Sequence, residues 1–573
     1  MTWFHRRLAF GAELAGLGRA RFRLWAPACE RVTLEIEGRA ATPMDGLEDG
    51  WFELETECDP GDRYRYRVRP ELAVADPAAR AQAEDVHGPS LVVDPKAYRW
   101  RVPDWLGRPW EEAVVYELHV GLLGGFDGVV ERLEALRDLG VTAVELMPVA
   151  DFRGRRNWGY DGVLPYAPDR AYGTPDQLKA LVDRAHELGL MILLDVVYNH
   201  FGPDGNYLSA YAPSFFRPDR HTPWGGAIDF RLGPVRTFFI ENALYWLMEY
   251  RFDGLRFDAV HAIDHPTFID DMAAEIRRTV EPGRHVCLVL EDETNAASHL
   301  RRGFDAQWND DVHHVLHVML TGEHHGYYRD YVEAPAEKLA RALATGFVYQ
   351  GEASPLRGAP RGSPSGTLPV TAFVDFLQNH DQIGNRAFGQ RLTSLADPEA
   401  LKAAVGLLLL CPHIPMLFMG EEAGSRSPFY YFTDHGPELA KAVRRGRRRE
   451  FAHFPEFADA RQLELIPDPN APSTFEESRP IPGPDADVWR RLYGELLDIR
   501  RRRIAPNLKG AAAIDAHALA DMAVLAGWRL GDGARLTLAL NLGEGRIAHA
   551  GASSQAAKAR GGRRPSAGSP PTA

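Results

Sequence analysis

Charged side chains recur in this sequence where their surroundings call for burial. In DGLRFDAVHAI, Asp253 to Ile263, the residues Arg256, Asp258 and His261 stand among Gly254, Leu255, Phe257, Ala259 and Val260. A charge inside a strand-like apolar run is costly unless paired, and residues two apart on a strand share a face, so Arg256 and Asp258 can pair. Taken alone, this segment is equally well a buried ion pair without chemistry. Three other apolar runs end in the same manner: Asp195, Asn199 and His200 close one, Glu291, Asp292 and Glu293 another, and His380 and Asp381 a third. One strand-end acid is most often a cap or turn residue, but four such strands in one chain point to carboxylates gathered in one pocket. Convergent acids without a Cys or His metal cluster suit glycoside hydrolysis, in which one carboxylate attacks the anomeric carbon and another protonates the leaving oxygen. The two need opposite protonation states. Arg256 beside it keeps Asp258 ionised, while Leu288, Val289 and Leu290 ahead of Glu291 favour a protonated acid.

Such residues need a scaffold, and the hydrophobic rhythm supplies one. From about 110 onward, short apolar runs alternate with helical stretches. EAVVYELHV, VTAVELMPV, MILLDVVYNH and the runs at 254–259, 285–291, 304–308, 372–378 and 414–419 make eight strand candidates. Between the second and third lies a well-marked helix, with Thr174 as N-cap, Pro175 at its first position, Gln177 completing a capping box and Gly189 beyond its end. Repeated strand–helix units imply a parallel sheet, and eight closing on themselves make a (β/α)₈ barrel whose active site lies at the strand C-terminal ends. The fold class is therefore α/β, a TIM-type catalytic barrel at 101–505 with long insertions at 198–234 and 321–370. Before it, alternating Phe22, Leu24 and Ala26, then Val32, Leu34 and Ile36, then Tyr64, Tyr66 and Val68 predict an N-terminal β-sandwich within 1–100. After it, MAVLAGWRL and ARLTLALNL predict a short, truncated C-terminal β domain at 506–550. The Ala, Gly, Ser, Pro and Arg of 551–573 predict a disordered tail.

Composition narrows the partners. A net charge of −13 speaks against nucleic acid or an anionic membrane surface. The basic run Arg444 to Arg449 reads as a solvated helix face. Cys29, Cys58, Cys287 and Cys411 are scattered without ligand spacing, so neither a disulfide framework nor a metal site is expected, and no cofactor is called for. The N-terminal stretch is interrupted by Glu13 and no apolar run approaches membrane-spanning length, which predicts a cytoplasmic protein.

The stretches DVVYNH (195–200), GLRFDAVH (254–261), LVLEDE (288–293) and FLQNHDQ (376–382) resemble the four signature regions of the α-amylase superfamily, in order and on the matching strands. The resemblance implies Asp258 as nucleophile, Glu291 as general acid/base and Asp381 as the third, transition-state-stabilising acid. It further implies Arg256, His200 and His380 around the sugar next to the scissile bond, with Asp195 supporting; His261 closes the second signature and is added to the sugar contacts. Glu293 is the alternative acid to Glu291. Further stretches, FRGRRNWGYDGVLPYAPDRAYGTPDQ, WNDDVHH, NHDQIGNRA and PELAKAVRRGRRREF, are similar to the trehalohydrolases of that superfamily that act on malto-oligosyltrehalose. These cut the α-1,4 bond next to the terminal trehalose, which implies a malto-oligosyltrehalose synthase upstream. Tyr160 in NWGYD is a candidate sugar platform or else a core aromatic. Asp310, Asp311 and His313 are candidate contacts to the trehalose end or else members of a polar loop. Ala423 in MGEEAG departs from the aromatic expected there. A glucan-branching or debranching enzyme shares the barrel and the acids, and a non-catalytic glucan-binding barrel is the alternative of another class.

Overall fold

The computed structural model describes residues 4–547 apart from 17, 223, 455, 456 and 458, so the tail expected at 551–573 lies outside the described residues. Its centre is a closed eight-stranded barrel. The strands are β1 (Val115–Leu118), β2 (Ala143–Leu146), β3 (Met191–Val196), β4 (Gly254–Phe257), β5 (Cys287–Leu290), β6 (Ala306–Trp308), β7 (Phe373–Phe376) and β8 (Ile414–Phe418). Every neighbouring pair is parallel, and β8 closes on β1 through the Val115–Met416 register. All eight coincide with the apolar runs of the sequence. Their residues are buried on both faces, as a parallel sheet wrapped in helices requires.

Side-chain alternation along these strands sorts the barrel interior into layers. Val115, Ala143, Leu193, Val289, Trp308, Phe376 and Met416 belong to one apolar cluster inside it. Two residues further along the same strands, on the same face, come Glu117, Glu145, Asp195 and Glu291. The apolar layer thus forms a floor, and the next layer toward the strand C-termini is charged. At Gly254 a Cβ would lie 2.5 Å from the Cys287 carbonyl, so only glycine permits the spacing of β4 and β5 there.

The helix Pro175–Glu187 forms as its sequence dictates, with the Thr174–Gln177 capping box complete. The insertion after β3 carries the helix Leu208–Tyr211 and the hairpin Phe216–Thr222 with Gly225–Ile228. The one after β6 carries the helix Pro335–Thr345 and the strand pair Ala353–Ser354 with Ala359–Pro360. Ahead of the barrel, a four-stranded and a five-stranded antiparallel sheet face each other as a β-sandwich, with Phe22 of one meeting Tyr64 of the other edge to face at 4.9 Å. Behind it, Ala512–Ala520, Ala523–Arg529 and Arg535–Asn541 form a three-stranded antiparallel sheet.

Two expectations need correction. Arg444 to Arg449 lie on the helix Pro437–Phe451, but that face is not wholly solvated: Arg447 is buried, donates to the carbonyls of Gly384 (2.7 Å) and Arg386 (3.0 Å), and stacks over Phe451. WNDDVHH is not a polar loop. It is the end of β6 and the start of the helix Asp310–Thr321, whose histidines His313, His314 and His317 are buried.

Candidate active site

The strand-end acids meet at the C-terminal mouth of the barrel around one guanidinium. Arg256 Nη1 donates to Asp195 Oδ1 (2.9 Å), Asp195 Oδ2 (2.8 Å) and Asp258 Oδ1 (2.7 Å), and Nη2 lies 3.4 Å from Glu291 Oε2. The guanidinium sits over the Trp308 ring at 4.0 Å, so an aromatic face closes its lower side. Three carboxyls therefore share one fully buried cation.

Their protonation is driven apart. Burial pushes the Asp258 carboxyl upward, but Arg256, the Asn199 amide at 2.9 Å and His200 more than offset this and hold it below the usual aspartate value. Burial pushes Glu291 well above the usual glutamate value, against Arg256 and with the neighbouring Asp258, Asp310 and Asp381 adding to the rise. Glu291 Oε2 accepts from the Ala259 N–H at 2.6 Å. Ala259, which donates that bond, adopts a left-handed conformation, φ +40°, immediately after Asp258. Glu293 is exposed and engaged outward, 2.9 Å from Arg357 and 3.6 Å from His261, so Glu291 is the carboxyl that combines burial with the shared cation.

A second chain of charge runs through His380. Glu117 of β1 accepts from its Nδ1 at 2.5 Å and from its backbone N–H at 3.1 Å, and its Nε2 lies 3.5 Å from Asp381 Oδ1. Burial opposes the imidazolium, but Asp381 and Glu117 outweigh it and raise the His380 pKa to about 9. Asp381 is 41% exposed at its side chain and opens to the mouth. Tyr160 stacks on the His380 ring at 4.9 Å and donates through its hydroxyl to Asp195 Oδ2 at 2.6 Å. His200 Nε2 bonds the Tyr160 carbonyl (3.0 Å) and its ring stacks on exposed Trp224.

The remaining sequence candidates divide. His261 is half-buried beside Glu293. Asp310 is half-buried, 3.5 Å from the Gln382 amide, and burial pushes its pKa to about 7. Asp311 is fully buried and accepts from Asn295 (2.9 Å), Tyr331 (2.5 Å), the Val348 and Tyr349 N–H groups (2.6 and 3.2 Å), and lies 3.2 Å from Arg361. Every partner is internal, so Asp311 anchors the insertion after β6 and offers a sugar nothing. His313 is likewise engaged inside, with the Leu377 carbonyl (2.6 Å) and the Tyr328 hydroxyl (3.2 Å), and burial holds it neutral, its pKa well below the usual value. Ala423 is buried in the turn after β8.

Sequence reasoning passed over Glu117, Trp308 and Trp224. A signal existed for the first: a glutamate in the middle of the apolar run EAVVYELHV can be buried only if something in the barrel needs it. As for metals, Asp375, Cys411 and His413 bring ligand-type atoms within 4.8 Å of one another, but His413 Nδ1 is already bonded to Asp375 at 2.8 Å. Among the described residues no helix is long and apolar enough to cross a membrane.

Comparison with known proteins bears on this geometry. Residues 81–220 match the family described as "Alpha amylase, catalytic domain", and 511–573 match a domain of unknown function, DUF3459. The chain is 40% identical to a malto-oligosyltrehalose trehalohydrolase from Saccharolobus solfataricus, over 86% of this chain and 87% of that one. It is 41% identical to the malto-oligosyltrehalose trehalohydrolase of Deinococcus radiodurans, over 86% and 83%. A crystal structure described as a putative alpha amylase from Salmonella typhimurium superposes with a TM-score of 0.89 at 45% identity, covering 94% of each chain. A pullulanase from Anoxybacillus sp. shares the fold at 18% identity, with a TM-score of 0.68.

Proposed function

The chain belongs to the malto-oligosyltrehalose trehalohydrolases of the α-amylase superfamily, and from that premise we propose how its residues carry out the reaction. The enzyme is a glycoside hydrolase. It hydrolyses the α-1,4-glucosidic bond next to the terminal trehalose unit of a malto-oligosyltrehalose, releasing trehalose and a malto-oligosaccharide.

In our reading Asp258 is the nucleophile. Its oxygen attacks the anomeric carbon of the glucose next to the trehalose unit, while Glu291 gives its proton to the glycosidic oxygen and trehalose leaves. Glu291, now a carboxylate, takes a proton from water, which attacks the glycosyl–Asp258 ester and regenerates both groups with the α configuration retained. Asp381 faces the positive charge that develops on the sugar ring, and His380 carries a proton between it and Glu117. Arg256 neutralises Asp258 and Asp195 so that Asp258 enters the reaction charged. Tyr160, Asp195, His200, His261 and Asp310 line the approach of the sugar. The observation that carries this reading is the shared guanidinium: Arg256 Nη1 donates to Asp258 Oδ1 at 2.7 Å and Nη2 lies 3.4 Å from Glu291 Oε2, which sets the two carboxyls side by side as nucleophile and acid/base.

We divide the chain into a carbohydrate-binding-like sandwich at 1–100, the catalytic barrel at 101–505, a short β domain at 506–550 and a tail at 551–573. We place the enzyme in the cytoplasm, where a malto-oligosyltrehalose synthase supplies its substrate. The test is a comparison of substrates, because remote contacts made by the trehalose unit appear in turnover as well as in affinity. Incubated separately with maltotriosyltrehalose and maltopentaose, the enzyme should give trehalose and maltotriose from the first and cleave the second much more slowly. Equal rates on the two would refute trehalose-end specificity, and new α-1,6 branch points on a longer glucan would identify a branching enzyme. A β anomer as first product of Asp258-dependent cleavage would overturn the retaining mechanism.

A further inference from the structure

At the pole of the barrel opposite the carboxylates, a cavity of about 960 Å³ opens among the segments that lead into β1, β2, β5, β6 and β7. Its volume lies in the range of small-molecule sites. The N-terminal face of such a barrel ordinarily serves stability alone, and stability is best served by filling a cavity.

The charge of the lining is unusual for this protein. It carries six cations, Arg108, Arg277, Arg284, Arg500, Arg501 and Lys509, against the carboxylates Glu111, Glu112 and Asp305. The lining alone holds three more cations than carboxylates, in a chain of net charge −13, although Glu281 and Asp498 just outside it pair with two of those cations. Internal pairing takes up four of the six: Arg108 is held by Glu112 at 2.6 Å, Arg277 by Asp305 at 2.5 Å and Arg501 by Asp498 at 2.8 Å, and Arg284 Nη1 lies 3.4 Å from Glu281, which leaves Arg500 and Lys509.

Arg500 is 1% exposed and, among the described residues, has no carboxylate within ion-pair distance. Its terminal nitrogens donate to the carbonyls of Leu409 (3.2 Å), Cys411 (2.6 Å) and His413 (2.6 Å), and its Nε is buried without a partner. Burial lowers its pKa to about 10. Arg284 repeats it only in part, donating to the carbonyls of Leu247 (2.6 Å) and Phe252 (2.7 Å) with its Nε unpartnered, since Glu281 stands 3.4 Å from its Nη1. Lys509 is exposed at the rim and has no hydrogen-bond or ion-pair partner among the described residues. A buried guanidinium that meets only carbonyl dipoles is under-neutralised, and an anion in the cavity would complete it. Trp110 and Phe304 supply an apolar wall beside these cations.

We propose that this cavity is a binding site for a small phosphorylated metabolite, with the phosphate received by the cationic side of the lining and the organic part lying against the apolar wall. A phosphate monoester carries nearly two negative charges and several acceptor oxygens, which match the two cations left without a carboxylate, Arg500 and Lys509, better than a carboxylate or a neutral sugar does.

Calorimetric titration of the full chain at physiological salt tests this, with glucose 6-phosphate, inorganic phosphate and glucose as probes. Glucose 6-phosphate should bind saturably, inorganic phosphate more weakly and in competition with it, and glucose not at all. Lys509→Glu and Arg501→Glu change exposed side chains, and circular-dichroism melting checks that both variants fold. Each should weaken glucose 6-phosphate binding by about tenfold or more, the loss of one charge-assisted contact. Absence of saturable binding by either phosphate probe would overturn the proposal. So would affinity unchanged in Lys509→Glu and Arg501→Glu, or glucose binding as tightly as its phosphate.

Discussion

Replacing Glu117 by Gln tests whether the ring beside the third acid is charged at working pH. His380 is raised from the usual 6.5 to about 9. At about 1.36 kcal/mol per pH unit this is about 3 kcal/mol of preference for the imidazolium in the folded state. A raised histidine contributes stability that is fully present below its unfolded pKa, near 6.5, and is lost as pH rises through about 9. The Gln variant keeps the side-chain volume but removes the charge that accepts from Nδ1, leaving burial opposed by Asp381 alone. The stability advantage of wild type over the variant should therefore shrink by about 1–3 kcal/mol between pH 6 and pH 9.5. The alkaline limb of kcat/KM should move toward acid by about one pH unit or more, since the same ring neighbours Asp381. Urea unfolding of both proteins across this range, with kcat/KM on maltotriosyltrehalose measured alongside, gives the two differences directly. Taking the difference between the proteins cancels other groups that titrate here, such as Glu421, which burial raises to about 8. Parallel stability curves together with an unmoved alkaline limb would refute a charged His380.

Glu291→Gln should lower turnover of maltotriosyltrehalose by about 10²–10⁴-fold, while α-maltotriosyl fluoride, whose leaving group needs no proton, keeps most of its first-step rate; stopped-flow fluoride release checks this. Tyr160→Phe removes the 2.6 Å bond to Asp195 but keeps the stack on His380, and should reduce kcat/KM by about tenfold or more with little change in melting temperature. Asp311→Asn breaks a buried pair with Arg361 and weakens four hydrogen bonds, so urea unfolding should show a loss of about 3–5 kcal/mol. Ala259→Gly relieves the left-handed φ and should stabilise the fold by a fraction of ~1 kcal/mol while lowering kcat, because the N–H held on Glu291 is freed to move.

The eight barrel strands were legible because each is a short apolar run bounded by a change of rhythm, and the helix after Thr174 because its capping box is a local code. The acids were legible where they end such runs, as Asp258, Glu291 and Asp381 do. Glu117 was not, since a carboxylate in mid-strand has meaning only once the strand is known to face a barrel interior that holds His380. Nor was the helix from Asp310: its acids and three histidines read as polar, and only the insertion folded over it makes them interior. Asp311 shows the cost of that misreading, for a buried anchor and a sugar contact look alike until their partners are counted. Arg447 is the converse, one residue of a basic run drawn inward because two carbonyls and Phe451 await it.

A single guanidinium serving three carboxyls also shapes how this site can change over generations. Because Arg256 is shared, the effect of losing one acid depends on which others remain: the first loss leaves the cation under-neutralised and strengthens its hold on the survivors, and the second meets a different electrostatic landscape from the first. Substitutions here are thus epistatic, and their order matters. A lineage drifting from cleavage toward mere glucan binding would find its easiest route through Asp381, which stands outside the Arg256 cluster and is open to solvent, and its hardest through Arg256 itself. Inactive descendants of this architecture should accordingly be found with the guanidinium and Asp195 intact long after the third acid has gone.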